Sequence, residues 1–368
     1  MGFQEIGCCC TEINYLPMQP FLRAKRVLFQ ASLEQLSSAF VSQDVTIPSI
    51  HRVGAPIVSR ILILISIVLL PLFSRAQGVP VIQVETHLID TTLSVHDAEG
   101  GIVTGLTQND FTVVEDGVPQ KIRFFAHDTQ LPLSIGLIID ASGSQEKFTK
   151  EHAKDIEAFL KQVLEPNDQA FALCFGNHLR VVSDSTSSAP AIMDGIRSFD
   201  KGNMDSPEIG PKEQRELGTA LYDAIYFSVT EKLAAIHQRR KVLVVFSDGE
   251  ENSSEHDLID AIAAAQNADV LVYAIRYTEL KHGKMDARDR YGMRALDHLT
   301  TQTGGKTFDF HETKLKQDFN EIAGDLRSLY DLAYQSTNPT RDGTYRKVVI
   351  QATRPGLTVR ARTGYYAK

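Results

Sequence analysis

Two rhythms of apolar residues run along this chain. In its middle, short β-branched runs at 134–139, 169–176, 241–246, 270–276 and 306–310 alternate with longer amphipathic stretches. The short runs read as buried strands. The longer ones, one ending near Leu164 and others over 189–199, 219–236, 256–267, 288–302 and 315–329, read as helices. Residues 179–183 read as a hairpin partner or edge strand beside 169–176. This alternation predicts an α/β fold: a doubly wound, mostly parallel sheet with helices on both faces.

The flanks follow a second rhythm. Over 77–130 and again over 331–368, β-branched residues recur at near-alternate positions between turn signals. Strands are expected at 81–86 and 88–95, and a hairpin of 111–115 with 121–125 around Asp116-Gly117. Further strands are expected at 330–336, 345–352 and 357–361, with turns at Gly100-Gly101, Asp342-Gly343 and Pro355-Gly356. The two flanks are expected to pair into one β-rich, sandwich-like module around the central domain at 131–330. Arg360 and Arg362 alternate on the last of these strands and read as protection of a sheet edge.

Ahead of the first strand the pattern changes again. His51-Arg52 and Arg60 precede an apolar run at 61–73, and Ser74-Arg75-Ala76-Gln77 follows. This is the layout of a signal peptide over 51–76. As a helix the run would span about 20 Å, short of the roughly 30 Å hydrocarbon core, so cleavage is favoured over a membrane anchor. Membrane contact is expected only if the segment is retained. Because a signal peptide belongs at a start, Val53 is a candidate first residue. Residues 1–50, with Cys8, Cys9 and Cys10, then fall outside the mature protein. Cys174 would be the one cysteine left, a small core residue in a strand. The mature, exported chain is expected periplasmic, at the cell surface or secreted.

The formal net charge of −8 argues against a nucleic-acid binder. The 11 histidines are scattered, without H-E-x-x-H or paired His–Cys spacing, and neither a nucleophile elbow nor a P-loop occurs. The expectation is therefore a protein that is not an enzyme.

Chemistry collects at the strand ends. The first central strand runs into Asp140-Ala-Ser142-Gly-Ser144. Thr219 stands in a loop just before a helix, and the strand at 241–246 runs into Ser247-Asp248-Gly249. In open α/β sheets, ligands bind outside the carboxyl ends of strands. Taken alone, the first segment reads equally as a turn with Ser142 or Ser144 capping a helix that begins near Gln145. Together, the five side chains are hard oxygen donors suited to Mg²⁺ or Ca²⁺ and not to a soft-ligand metal. With only two carboxylates facing a divalent ion, the set is close to neutral.

Asp140, Ser142, Ser144, Thr219 and Asp248, in this order, resemble the metal-ion-dependent adhesion site of von Willebrand factor type A domains. The resemblance covers about 131–330. It implies that the serines and the threonine bind the ion, and that the aspartates bind it directly or through water. It also implies a cofactor, Mg²⁺ or else Mn²⁺ or Ca²⁺, and a protein partner that presents an Asp or Glu to the ion. The flanking segments 106–122 and 359–366 are similar to those of an exported bacterial group of such proteins, described especially from acidobacteria. Glu250 and Glu251 read as solvated loop charges, and the polar loop 200–217 as a neighbour of the ion. Two other functions fit the same residues: a metal-dependent hydrolase, and a structural module whose ion only braces loops. For export, mass spectrometry of the protein from its native host should find Gln77 as the first residue; a chain retaining 61–70 would mean an anchor.

Overall fold

The computed structural model describes residues 88–368 except 177, 203–204, 211–217, 279–283 and 311–314. The expected strand at 81–86, the signal peptide and the cysteine triplet lie outside the described residues. No helix among the described residues is long and apolar enough to cross a membrane.

The central domain is a six-stranded sheet. Its strands are β4 (Leu133–Asp140), β5 (Gln169–Phe175), β6 (Leu179–Thr186), β7 (Arg240–Ser247), β8 (Val270–Arg276) and β9 (Thr307–Asp309). They lie in the order β6-β5-β4-β7-β8-β9, all parallel except β6, which pairs antiparallel with β5. β4 is buried along its whole length, as its unbroken apolar run requires. Its alternate residues serve two cores. Ile135, Leu137 and Ile139 face α1 (Thr149–Val163), α2 (Ala189–Asp200) and α6 (Leu315–Arg327). Ile138 faces α3 (Leu221–Phe227), α4 (Leu258–Asn267) and α5 (Ala287–Thr303). Gly136 lies between Leu243 and Phe171, whose side chains come within 2.5 Å of where a Cβ would stand.

The helix expected over 219–236 departs from plain α geometry. α3 passes into a wider turn at Ser228–Leu233, where Ala234 N donates to Val229 O at 2.7 Å. Leu221, Ile225, Val229 and Leu233 are all buried. A four-residue spacing drifts about 40° per step around an α-helix, and the wider turn brings that row back toward the sheet.

The flanks form one antiparallel sheet and not two facing sheets. Its strands are β1 (Leu88–His96), β2 (Phe111–Glu115), β3 (Val118–Ala126), β10 (Tyr330–Gln335), β11 (Tyr345–Ala352), β12 (Thr358–Ala361) and β13 (Gly364–Tyr366). They are ordered β12-β1-β10-β3-β2-β11-β13. β2 and β3 make the expected hairpin, with both turn residues, Asp116 and Gly117, at positive φ. The sheet curls over its own core, where Leu93, Phe111, Tyr330, Tyr334 and Val348 pack together with Val359.

Both sheets belong to one contact unit, Val84–Lys368, joined by buried charge. Arg240, at the start of β7, pairs with Asp331 at 2.9 Å and donates to the carbonyls of Asp128 and Leu329. Arg360 and Arg362 work inward from their edge strand, contrary to the expectation of edge protection. Arg360 pairs with Glu321 and Asp325 of α6 at 3.2 and 3.3 Å. Arg362 is buried and donates to the carbonyls of Asp90 and Gln266. The periodicity of an isolated strand carries no information about the acids another module offers it.

Asp325 is fully buried where the two sheets meet. Tyr273 Oη donates to it at 3.2 Å, His96 Nε2 lies 3.3 Å away, and Lys306 and Glu321 add charge nearby. Burial outweighs the pull of Arg360 and lifts its carboxyl from 3.8 to about 7. Between those values the native state holds a proton that the unfolded chain releases, so this group's contribution to stability falls as pH rises from about 4 to about 7. Asp325→Asn should remove that slope, read by urea unfolding across the window. A stability difference between wild type and variant that does not vary with pH would show Asp325 already ionised.

Candidate metal site

Sheet register brings the two aspartates together. β4 and β7 are parallel neighbours with Ile139 opposite Phe246. Asp140 therefore ends its strand beside Ser247, and Asp248 follows directly. The chain leaves β4 toward β5 on one side and returns with β7 on the other, so this is a point where strand order reverses. Ser247 Oγ donates to Asp140 Oδ2 at 2.5 Å, and Ser142 N donates to Oδ1 at 3.0 Å.

The first loop does not form the expected cap. The segment Gly143–Phe148 is a 3₁₀ turn, and α1 begins only at Thr149. Ser142 holds the N-cap position, yet its side chain makes no capping hydrogen bond. Its Oγ lies 3.2 Å from Ser144 Oγ, and Ser144 Oγ donates to Asp248 Oδ2 at 2.8 Å. Thr219 is buried just before α3, and its backbone N–H donates to Asn252 Oδ1 at 2.8 Å. Ser142, Ser144 and Thr219 line one cavity of about 530 Å³, with Glu250, Asn252, Arg180 and Arg288 also on its walls. Asp140 and Asp248 bond to groups of that lining. All five side chains singled out in the sequence thus converge on one place. Of the loop 200–217, Ile209 and Pro207 bond to the backbone of β6 and Glu208 pairs with Arg180 at 2.6 Å; residues 211–217 lie outside the described residues.

The electrostatics favour a cation. Asp140 and Asp248 are 2% and 5% exposed. Among the described residues neither forms an ion pair with Lys, Arg or His. Burial first, and then the charge of Asp248, push the Asp140 carboxyl up to about 7. Two carboxylates desolvated together without a countercharge are costly, and a divalent ion beside hydroxyl oxygens would reverse that cost. Among the described residues no group of three or more His, Cys, Asp and Glu is placed to hold a metal. The donor set is thus dominated by hydroxyls, which suits a hard ion that keeps waters. The residues present fit Mg²⁺ or Mn²⁺.

Several residues that position the site gave no signal in the sequence. Gln145 is buried; its Nε2 donates to Asp248 Oδ2 at 2.6 Å and to Tyr277 O at 3.3 Å. Glu251 is an anchor and not a solvated charge: it accepts from Tyr222 N, Ser253 N, Ser254 N and Ser254 Oγ at 2.6–3.0 Å. Glu250 is 16% exposed and lies 3.6 Å from Arg288. Gly249 takes φ +80°, and a Cβ there would stand 2.4 Å from Gly292 O. The third loop therefore rests directly on the backbone of α5. Only the pairing of two glycines far apart in sequence could have signalled this contact.

A family model described as von Willebrand factor type A domain matches residues 134–323, just over half of the chain. The chain belongs to this family. No curated protein matches the chain. Among solved structures, protein BatB from Bacteroides thetaiotaomicron is 17% identical, covering 53% of this chain and 100% of that one, with a TM-score of 0.40. The manganese-loaded TRAP protein of Plasmodium vivax is 9% identical over 66% of this chain and 97% of its own, at 0.41. Proximal thread matrix protein 1 from the mussel byssus, described with a zinc-occupied MIDAS motif, is 15% identical over 58% and 50%, at 0.41. At these scores the structural likenesses add nothing to the family match.

In this von Willebrand A domain the Gly249–Gly292 contact should control the third loop. A Cβ at Gly292 would lie 2.5 Å from Asp248 O and 2.9 Å from Gly249 C, so backbone must move. Gly292→Ala should cost about 1–3 kcal/mol in unfolding experiments and weaken divalent-ion binding measured by calorimetry. Unchanged values for both would mean that the loop yields freely.

Proposed function

We propose that this chain is a divalent-metal-dependent protein-binding module that captures an acidic side chain of a partner protein. One observation carries this reading: two buried carboxylates, without a countercharge among the described residues, bond to the serines that line an open cavity, Asp140 to the backbone N–H of Ser142 and Asp248 to the hydroxyl of Ser144. Asp140, Ser142, Ser144, Thr219 and Asp248 would hold the ion, with Mg²⁺ the favoured choice and Mn²⁺ or Ca²⁺ as substitutes. When bound, the ion supplies a coordination position open to a carboxylate oxygen from outside. Arg288 on the cavity wall, 74% exposed, favours the approach of an acid from that side. We also propose that the protein works outside the cytoplasm, in the manner of the exported bacterial group its flanking segments resemble, and that it is not an enzyme. Among the described residues no group of three or more His, Cys, Asp and Glu is placed to hold a metal, which speaks against hydrolytic metal chemistry.

Asp140→Ala removes a charged ligand without touching the burial of β4. Its Mg²⁺ affinity should fall by more than the roughly 10–100-fold typical of losing an outer-sphere partner. Thr219→Ala removes a neutral oxygen and should cost less metal affinity, while still impairing capture of an acidic partner. Capture from envelope extract should need Mg²⁺ and disappear in chelator. Capture that survives chelator unchanged would dismiss a metal bridge. Substrate turnover abolished by Asp248→Ala would make the protein a hydrolase, and tightly held metal with no partner would leave the ion a brace.

A further inference from the structure

Gln145 has two polar ends in two different situations. It is 1% exposed. The groups it touches, the Asp248 carboxylate at 2.6 Å and the Tyr277 carbonyl at 3.3 Å, can only accept hydrogen bonds, which fixes the amide nitrogen toward them. The other end, Oε1, is buried without a hydrogen-bond partner. A buried acceptor left unpaired costs about 1–3 kcal/mol. The nitrogen ties the first loop to Asp248 and to the end of β8 at once. Asp248 Oδ2 is thereby taken by two donors, Ser144 Oγ and Gln145 Nε2, while Oδ1 accepts from Glu250 N at 2.9 Å.

We propose that Gln145 is a positioning residue of the metal site: its nitrogen orients Asp248, and its unpaired oxygen accepts a hydrogen bond from a water carried by the bound cation. This rests on the metal-binding reading of the same site. It makes Gln145 a determinant of which ion is held. Mg²⁺ retains several waters and depends on acceptors for them, whereas Ca²⁺ takes six to eight oxygen ligands with little geometric demand. A carboxamide that holds one water in place therefore favours the smaller ion. The Tyr277 ring, packed against Phe148, His152 and Phe310, makes the carbonyl that Gln145 leans on a rigid support.

Calorimetric titration of the whole chain with Mg²⁺ and with Ca²⁺ tests this, using wild type, Gln145→Met and Gln145→Leu. Methionine matches the length of glutamine but offers neither the donor nor the acceptor. It should lower Mg²⁺ affinity by roughly 10–100-fold and Ca²⁺ affinity by less, so the Mg²⁺-to-Ca²⁺ ratio drops. Leucine likewise offers neither donor nor acceptor, so its ratio should drop as methionine's does. An equal fall for both ions in the methionine variant, with a lower metal-free unfolding midpoint, would reduce Gln145 to a packing role and overturn the proposal. Unchanged affinities, or a leucine variant whose ratio stays at the wild-type value, would also overturn it; should methionine prevent folding, the leucine ratio decides. Absence of divalent-ion binding in the wild type would instead remove the reading of the site itself.

Discussion

Two carboxylates buried at neighbouring strand ends, with no cation among the described residues to balance them, are the constraint around which this molecule is arranged. Parallel pairing of β4 with β7 puts Asp140 and Asp248 there, and register alone fixes their closeness. Serine hydroxyls, backbone N–H groups and the Gln145 amide then donate to those oxygens. They lessen the desolvation cost but do not remove it, as the upward shift at Asp140 shows. A fold that keeps such a site stores unfavourable electrostatics at one end of its sheet, which a bound cation can relieve.

The antiparallel sheet leaves that end free. Its anchors lie at the opposite end: Arg240 at the start of β7, Asp331 just after α6, and Gly304 at the end of α5 against Ala361. Helices that run back from the strands' carboxyl ends deliver their C-termini to this seam. The loops carrying Ser142, Thr219 and Asp248 remain at the other end. Joining the flanks to the domain at its base therefore costs no access to the cavity.

How much of this was legible in the sequence follows from the range of each interaction. β4 announced itself because a strand buried on both faces needs an unbroken apolar run. The hairpin at Asp116-Gly117 did so because positive φ at two residues restricts composition. The five oxygen-bearing residues were readable because their positions relative to strand ends follow from topology. Gln145 was not, since an amide after a serine looks like any polar loop residue until Asp248, far along the chain, is folded against it. Glu251 was misread for the same reason: its partners at Tyr222 and Ser254 are brought to it only by α3 and the third loop. Arg360 and Arg362 looked like edge guards because the acids of Arg360 and the Gln266 carbonyl that Arg362 meets lie on helices outside their sheet.

The three acids of the third loop show how the site keeps its charge low. Asp248, Glu250 and Glu251 stand almost side by side in sequence, and if all three faced the cavity they would outweigh a divalent ion. Glu251 is turned into the loop and occupied by four hydrogen bonds. Glu250 lines the cavity but has Arg288 beside it. Only Asp248 joins Asp140, so on the proposed reading the two carboxylates just balance the ion. A balanced ion attracts a further anion weakly, and water competes well for its open position. Preference for an acidic partner over water must then come from elsewhere on the rim. Arg180 is already paired with Glu208 at 2.6 Å, which leaves Arg288, 74% exposed and 3.6 Å from Glu250, as the cavity-wall cation most open to solvent. On the proposed reading, the ion would fix where a partner's carboxylate binds, and Arg288 would favour a carboxylate over water.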